Sequence, residues 1–341
     1  MSGEDFGAIE AGGDGMTRIG IVLLSLALAA AAPAAAEENI TRLFDREYDF
    51  WNCDWSPDGS ILALAGKAHY QPATQARIWF FRPDAGKPVP WTNTVTLCDD
   101  WPRWSPDGRS LVLARREITG ARRTCIWRKD LDTGAGTRLT GGPDDRQPSW
   151  SPDGRTIVFR RGLGPYQSQL ALVDLASRKV FIPPLPPGLV GEPFWGRDGA
   201  IYYTRYQVIR QETRVGGKVY PVYVISGGRI YWYMPATGQG GPALPDGYNQ
   251  CLPALSPDGK WLAYCAQRRE AAASSIPDPE HWGLFLQNRA TGAVGEALAN
   301  VALTGGPPAW SRDGASLIFY SLRQKYPALW SYVLPAAEGG G

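Results

Sequence analysis

The sequence predicts an all-β protein: a six-bladed β-propeller with four antiparallel strands per blade, closed by an N-terminal strand that completes the last blade. Three observations carry this. A Trp-Ser-Pro-Asp-Gly segment recurs at Trp55–Gly59, Trp104–Gly108 and Trp150–Gly154, with degenerate copies starting at Trp195, Leu255 and Trp310. Short apolar runs flank every copy in the same arrangement. Of 341 residues, 40 are Gly and 29 Pro, too many for a helical chain but ordinary for one that turns every ten residues or so.

The first stretch reads as leader rather than fold. Residues 1–15 are acidic, Gly-rich and unpatterned, and Met16 is taken as the true start. From Met16 a basic residue (Arg18), an apolar run from Ile19 to Ala32 and the small residues Ala34–Ala36 follow in the order of a Sec-type signal peptide. Cleavage is expected near Ala36, and residues 1–36 are assigned as leader and signal peptide. This is favoured over a membrane anchor, because the uncharged stretch is short, Ala-rich and interrupted by Pro33. The expected location is therefore periplasmic or secreted, with no stable membrane span after cleavage.

Residues 37–341 read as one propeller domain. In each repeat a first strand ends at the hallmark position, and Pro-Asp-Gly makes a tight turn in which Pro presets φ and Gly accepts a positive φ. A second strand follows, as in Ser110–Arg116 and Thr156–Arg161, then a third, as in Thr124–Leu131 and Gln169–Leu175, and a short fourth. Strands apolar on both faces suit blades that pack on two neighbours. After Trp310 the chain offers three strands, and Asn39–Asp45 resembles an outer strand without a blade. That segment is expected to staple the ring shut.

These residues resemble the TolB-like β-propeller repeat, whose hallmark is a strand ending in a Trp-Ser-Pro-Asp-Gly turn. The resemblance covers Asn39 to about Pro335. It lacks the extra N-terminal α/β domain of the family's namesake and the separate hydrolase domain of its peptidase members. It implies a periplasmic scaffold that binds partners, with a role in envelope integrity.

Composition narrows the function. The formal charge is +2, from 35 Lys and Arg against 33 Asp and Glu, and +5 once residues 1–36 are removed. That balance, with export, argues against nucleic acid. The two histidines, His69 and His281, are too few and too far apart for a metal centre, so no metal and no cofactor are expected. No nucleophile-elbow, zincin, phosphate-loop or Cys-x-x-Cys motif is present.

In a propeller the first strands line the central channel, so residues three to six before each hallmark should ring its mouth. These are Trp51 and Asn52; Asp99, Asp100 and Trp101; Asp144, Asp145, Arg146 and Gln147; Glu192; and Asn249 and Gln250. Blade 6 offers only Gly305, Gly306 and Pro307. Just outside, the ends of the second strands form a basic belt that includes Arg116, Arg161, Arg205, Arg269 and Arg323. Such a surface suits an anionic partner or a peptide terminus. Gln207–Ile225, with Gly216-Gly217 between two alternating runs, reads as a hairpin projecting from blade 4 on the same face, and an envelope protein or peptide is expected to dock there.

Export permits disulfides, and Cys251–Cys265 is the expected pair. A turn at Pro257–Gly259 would set Ser256 opposite Lys260 and Cys251 opposite Cys265. Cys53 and Cys98 form a weaker pair, and Cys125 is expected in the core. The expected function is a non-catalytic protein- or peptide-binding scaffold of the cell envelope. The alternative is a carboxylate-dependent, glycan-active enzyme using Asp99, Asp100, Asp144, Asp145 and Glu192. A clustered pair of carboxylates would favour the enzyme, and an exposed apolar patch on the blade 4 hairpin would favour partner binding.

Overall fold

The computed structural model describes residues 39–69, 75–92, 96–120, 123–215, 218–268, 282–299, 301, 305–321 and 328–335. The leader, His281, Arg269 and Arg323 lie outside the described residues.

Six four-stranded antiparallel sheets follow one another along the chain. Blade 1 comprises Tyr48–Trp55, Leu62–Ala68, Arg77–Phe81 and Val89–Pro90, and blade 2 Leu97–Trp104, Ser110–Glu117, Thr124–Asp130 and Gly136–Arg138. Blade 3 comprises Asp145–Trp150, Thr156–Gly164, Gln167–Asp174 and Val180–Phe181. Blade 4 is the long one, with Leu189–Trp195, Ile201–Val215, Lys218–Met234 and Gln239–Pro242. Blade 5 comprises Tyr248–Leu255, Trp261–Arg268, Trp282–Asn288 and Val294–Leu298. Blade 6 comprises Ala309–Trp310, Ser316–Ser321 and Ala328–Val333, and its outer strand is Ile40–Arg42.

Closure is by that first strand. Ile40 lies opposite Tyr332, Thr41 opposite Ser331 and Arg42 opposite Trp330. Leu43 N then donates to Leu329 O at 3.0 Å, and Phe44 turns its ring edge to Phe50 and Phe81 of blade 1. One segment therefore completes blade 6 and packs on blade 1.

The hallmark residues act within and between blades. In blade 1 Ser56 Oγ donates to Asp58 Oδ1 at 2.5 Å, Ser60 N donates to the same oxygen, and Gly59 closes the turn at φ 76°. These donors hold the Asp58 carboxyl down at about 2. The Trp does the fastening between blades. Trp104 Nε1 donates to Asp54 O, Trp150 Nε1 to Arg103 O and Trp310 Nε1 to Ala254 O, at 3.0–3.1 Å, each acceptor lying one residue before the preceding blade's hallmark. Apolar clusters fill the seams. Phe50, Leu64 and Trp79 meet Ile318 and Leu329 between blades 1 and 6, and Val112 and Ile126 meet Ile157 and Phe159 between blades 2 and 3.

Blade 4 departs from the template. Its turn is one residue shorter: Trp195 pairs with Ile201, whereas Trp104 pairs with Leu111. Trp195 Nε1 accordingly donates to Gly199 O of its own turn. The hairpin expected at Gln207–Ile225 is a direct extension of the second and third strands, paired from Val208↔Ile225 to Val215↔Lys218 after a bulge at Gln207.

Candidate binding site at the channel mouth

The mouth is built on one backbone irregularity, repeated. In five blades the innermost strand slips against the second strand just before the hallmark, for example between Asp100 and Arg103 and between Arg146 and Ser149. In four of them the residue three before the hallmark is left-handed: Trp101 (φ 56°), Gln147 (56°), Glu192 (48°) and Leu252 (58°). None is glycine, so each bulge costs on the order of 1–2 kcal/mol. Strain of this kind concentrates at functional sites.

The bulges bring side chains from neighbouring blades together. Asp100 accepts from Trp51 Nε1 with both oxygens at 3.1 Å, from Asn52 Nδ2 at 2.9 Å and from Trp101 N at 2.7 Å. Gly306 closes this corner: a Cβ there would collide with Asn52 Oδ1 and touch the Trp101 ring. Two blades on, Glu192 accepts from Tyr206 Oη at 2.6 Å and from Gln147 Nε2 at 3.3 Å, while Gln147 Oε1 accepts from Glu192 N. Between them, Asp144 holds both Arg146 and Arg160, the latter at 3.2 Å. Burial raises the pKa of Asp100 and of Glu192, outweighing the hydrogen bonds they accept. The cation nearest in effect to Asp100 is the half-exposed Arg146 and that to Glu192 is Arg160, and both are held by Asp144.

The residues expected to ring the mouth divide into two sets. Trp51, Asn52, Asp100, Trp101, Asp144, Arg146, Gln147 and Glu192 belong to this network. Asp99 and Asp145 do not present free carboxylates: they are buried in bidentate pairs with the arginines directly opposite, Asp99 with Arg115 at 2.6 and 2.8 Å and Asp145 with Arg161 at 2.7 and 3.0 Å. Adjacent residues on a strand face opposite ways, so Asp99 and Asp100 have different tasks. Gln250 is also buried, accepting from Ile230 N and donating to Pro245 O, and Asn249 is covered by Gly227.

The belt is likewise partly engaged. Arg161 is held by Asp145, and Arg205 lies over the Tyr231 ring and donates to Pro187 O. Arg116 is exposed and hydrogen-bonds the Cys98 thiol. Tyr206 is a site residue that was not expected. Its alternation with Tyr202 and Thr204 along the second strand was the available signal.

All five described cysteines are unbridged. The expected Cys251–Cys265 disulfide is therefore not formed, although the two residues do face each other. They face by a different route: Ser256 N bonds Trp261 O, one residue off the expected turn register, and the bulge at Leu252 restores the offset. Their thiols are hydrogen-bonded, which with burial pushes Cys251 well above the ordinary thiol range.

The raised Glu192 carboxyl gives a pH-dependent expectation. A carboxyl whose folded pKa lies above its unfolded value stabilises the fold when protonated and loses that contribution as pH rises from the ordinary value of 4.5 through the raised one. Glutamine at this position can still accept from Gln147 and can donate to the Tyr206 oxygen. Glu192→Gln is expected to unfold at higher urea than the parent at pH 7, with the gain vanishing below about pH 4. Equal gains at both pH values would refute the assignment.

The fold is that of the TolB-like six-bladed propellers. Among solved structures the chain resembles TolB from Acinetobacter baumannii, with 18% identity, a TM-score of 0.60 and coverage of 82% of this chain. It spans 65% of that TolB chain. It also resembles an oligogalacturonate lyase from Vibrio parahaemolyticus (13% identity, TM-score 0.53, 87% of this chain and 93% of that one). A third likeness is the β-propeller domain of the Trilobed protease from Pyrococcus furiosus (16%, 0.53, 86% of each chain), described as having an open velcro topology. At these identities the likeness is one of fold. No family model and no curated protein matches the sequence.

Proposed function

We propose that the chain is an exported, non-catalytic scaffold of the cell envelope that binds a peptide or protein partner across the channel mouth and the blade 4 hairpin. One observation carries this: the hairpin exposes Ile209, Val219, Val222, Tyr223 and Ile225 at 39–49% of their surface, on the face where the mouth opens. Apolar groups gathered on one projecting element mark an interaction surface. The mouth adds partly exposed Trp51 and Trp101 and the Arg146 guanidinium, groups suited to aromatic and anionic parts of a polypeptide. Among the described residues no helix is long and apolar enough to cross a membrane.

The test is affinity capture from envelope extract with the intact protein and with Trp51→Ala, which removes both indole bonds to Asp100. A specific partner should be recovered at least about tenfold less by the variant. Equal recovery by both removes the mouth from the interface.

The glycan-active alternative draws on the lyase likeness and on Asp100 and Glu192, two carboxyls with raised pKa values at one mouth. Against it, Asp99, Asp144 and Asp145 are each paired with arginine. Turnover of oligogalacturonate that is lost in Glu192→Gln would establish the alternative in place of the scaffold.

A further inference from the structure

The innermost strand of blade 4 ends at Leu189, opposite Tyr206, but the second strand runs on to Val215. From Val208 to Arg214 that strand pairs only with Pro-containing Lys218–Met234 on its outer side. Its other edge, among the described residues, has no ladder partner. This edge lies on the side of the innermost strand, so it continues the line of the channel wall beyond the mouth. Ile209 through Arg214 are all exposed. A two-stranded ribbon is marginal in water, and an open edge without proline is a template for another strand.

The faces of the ribbon specify what suits that edge. Directly opposed residues share a face, so Ile225, Arg210, Tyr223, Arg214 and Val219 lie together on one side. Tyr223 stacks on Tyr166 of the blade 3 hairpin at 4.9 Å, turning this face toward blade 3. Glu212 is the one acid on it. Along the edge strand this face presents Val208, Arg210, Glu212 and Arg214, so two bases four residues apart flank the acid.

We propose that the Val208–Arg214 edge binds an extended polypeptide segment by strand addition, and that the segment carries two acidic residues four positions apart, a neutral residue midway between them opposite Glu212, and apolar residues at the intervening positions. The segment takes the place that the innermost strand vacates above Leu189. Backbone bonds along about seven residues hold it, and carboxylates four positions apart meet Arg210 and Arg214. This rests on the reading that the mouth takes a polypeptide, and it names how the chain is held there.

The probe is a fluorescein-labelled, amidated peptide, Thr-Val-Asp-Val-Thr-Val-Asp-Val-Thr, followed by fluorescence anisotropy. Only one edge of an added strand faces the ribbon. N-methylation at one alternate set of residues should therefore weaken binding at least about tenfold, and at the other set leave it unchanged. Arg210→Glu with Arg214→Glu, and a shortened protein in which Gln207 joins Ile225 through two glycines, should each weaken binding about tenfold or more. Equal effects of both N-methylated sets, full affinity for the shortened protein, or no saturation up to about 1 mM overturns the proposal. The N-methyl comparison uses the unaltered protein, so it does not depend on how the variants fold. An alternating N-methyl effect that persists in Trp51→Ala means that strand addition holds and the mouth reading fails. Partner capture that depends on Trp51 but survives in the shortened protein means the reverse.

Discussion

Replacing Asp145 by alanine is expected to destabilise the protein by about 3–5 kcal/mol. The carboxylate is fully buried, it pairs bidentately with Arg161, and it accepts from Gly142 N at 3.1 Å. Removing it leaves a guanidinium in the sheet interior with no counter-charge, and that uncompensated cation dominates the loss. Replacing both partners, Asp145→Leu with Arg161→Met, should recover most of the stability, because no buried charge then remains. Lys260→Ala, which removes the ion pair to Asp258 on an exposed turn, should change stability by no more than about 0.5 kcal/mol. Urea unfolding of the three variants checks this. A double variant no more stable than Asp145→Ala would mean that shape, not charge, decides at this position.

Loss of the closing segment is expected to have an effect of similar size. Phe44 lies edge-on to Phe50 at 5.2 Å and to Phe81 at 5.0 Å, so Phe44→Ala should cost about 3 kcal/mol, the lower end for a large aromatic because Phe44 is only partly buried. Deleting Asn39–Phe44 removes in addition the ladder to Ala328–Val333 and exposes that strand's edge. The deletion variant should unfold at lower urea than Phe44→Ala and should self-associate with rising concentration, as sedimentation would show. A deletion variant as stable and monomeric as the parent would mean that the blades close without the staple.

The architecture was legible because it is written six times. A Trp, a turn and three apolar runs at near-constant spacing leave few other folds, and the orphan strand at Asn39–Asp45 had one open position to fill. The mouth was only partly legible, for two physical reasons. The bulges carry Trp101, Gln147, Glu192 and Leu252 at positive φ, and no glycine in the sequence announces them. Counting back from each hallmark therefore found the right region without separating Asp99 from Asp100. The second reason is that acids and bases were read as two concentric rings, whereas Asp99 and Asp145 stand directly opposite Arg115 and Arg161. Cross-strand pairing counted outward from the turn, with Trp104 opposite Leu111, would set Asp100 rather than Asp99 opposite Arg115, and only the bulge moves the register by the one residue that makes the pairs. Blade 4 lacks such an acid: Val190 faces Arg205, and the cation rests on Tyr231 instead.

The shortened turn of blade 4 has a mechanical consequence. Indole bonds tie blade 2 to blade 1, blade 3 to blade 2 and blade 6 to blade 5, while the terminal staple ties blade 6 to blade 1. Trp195 bonds within its own blade and blade 5 has Leu255 at the hallmark, so neither seam beside blade 4 carries an indole tie. The ribbon is anchored in that sector. A tug from a tethered molecule is therefore carried into the ring not by indoles but by bonds such as Trp195 N to Ser149 Oγ on one side and the Arg289–Asp198 ion pair on the other.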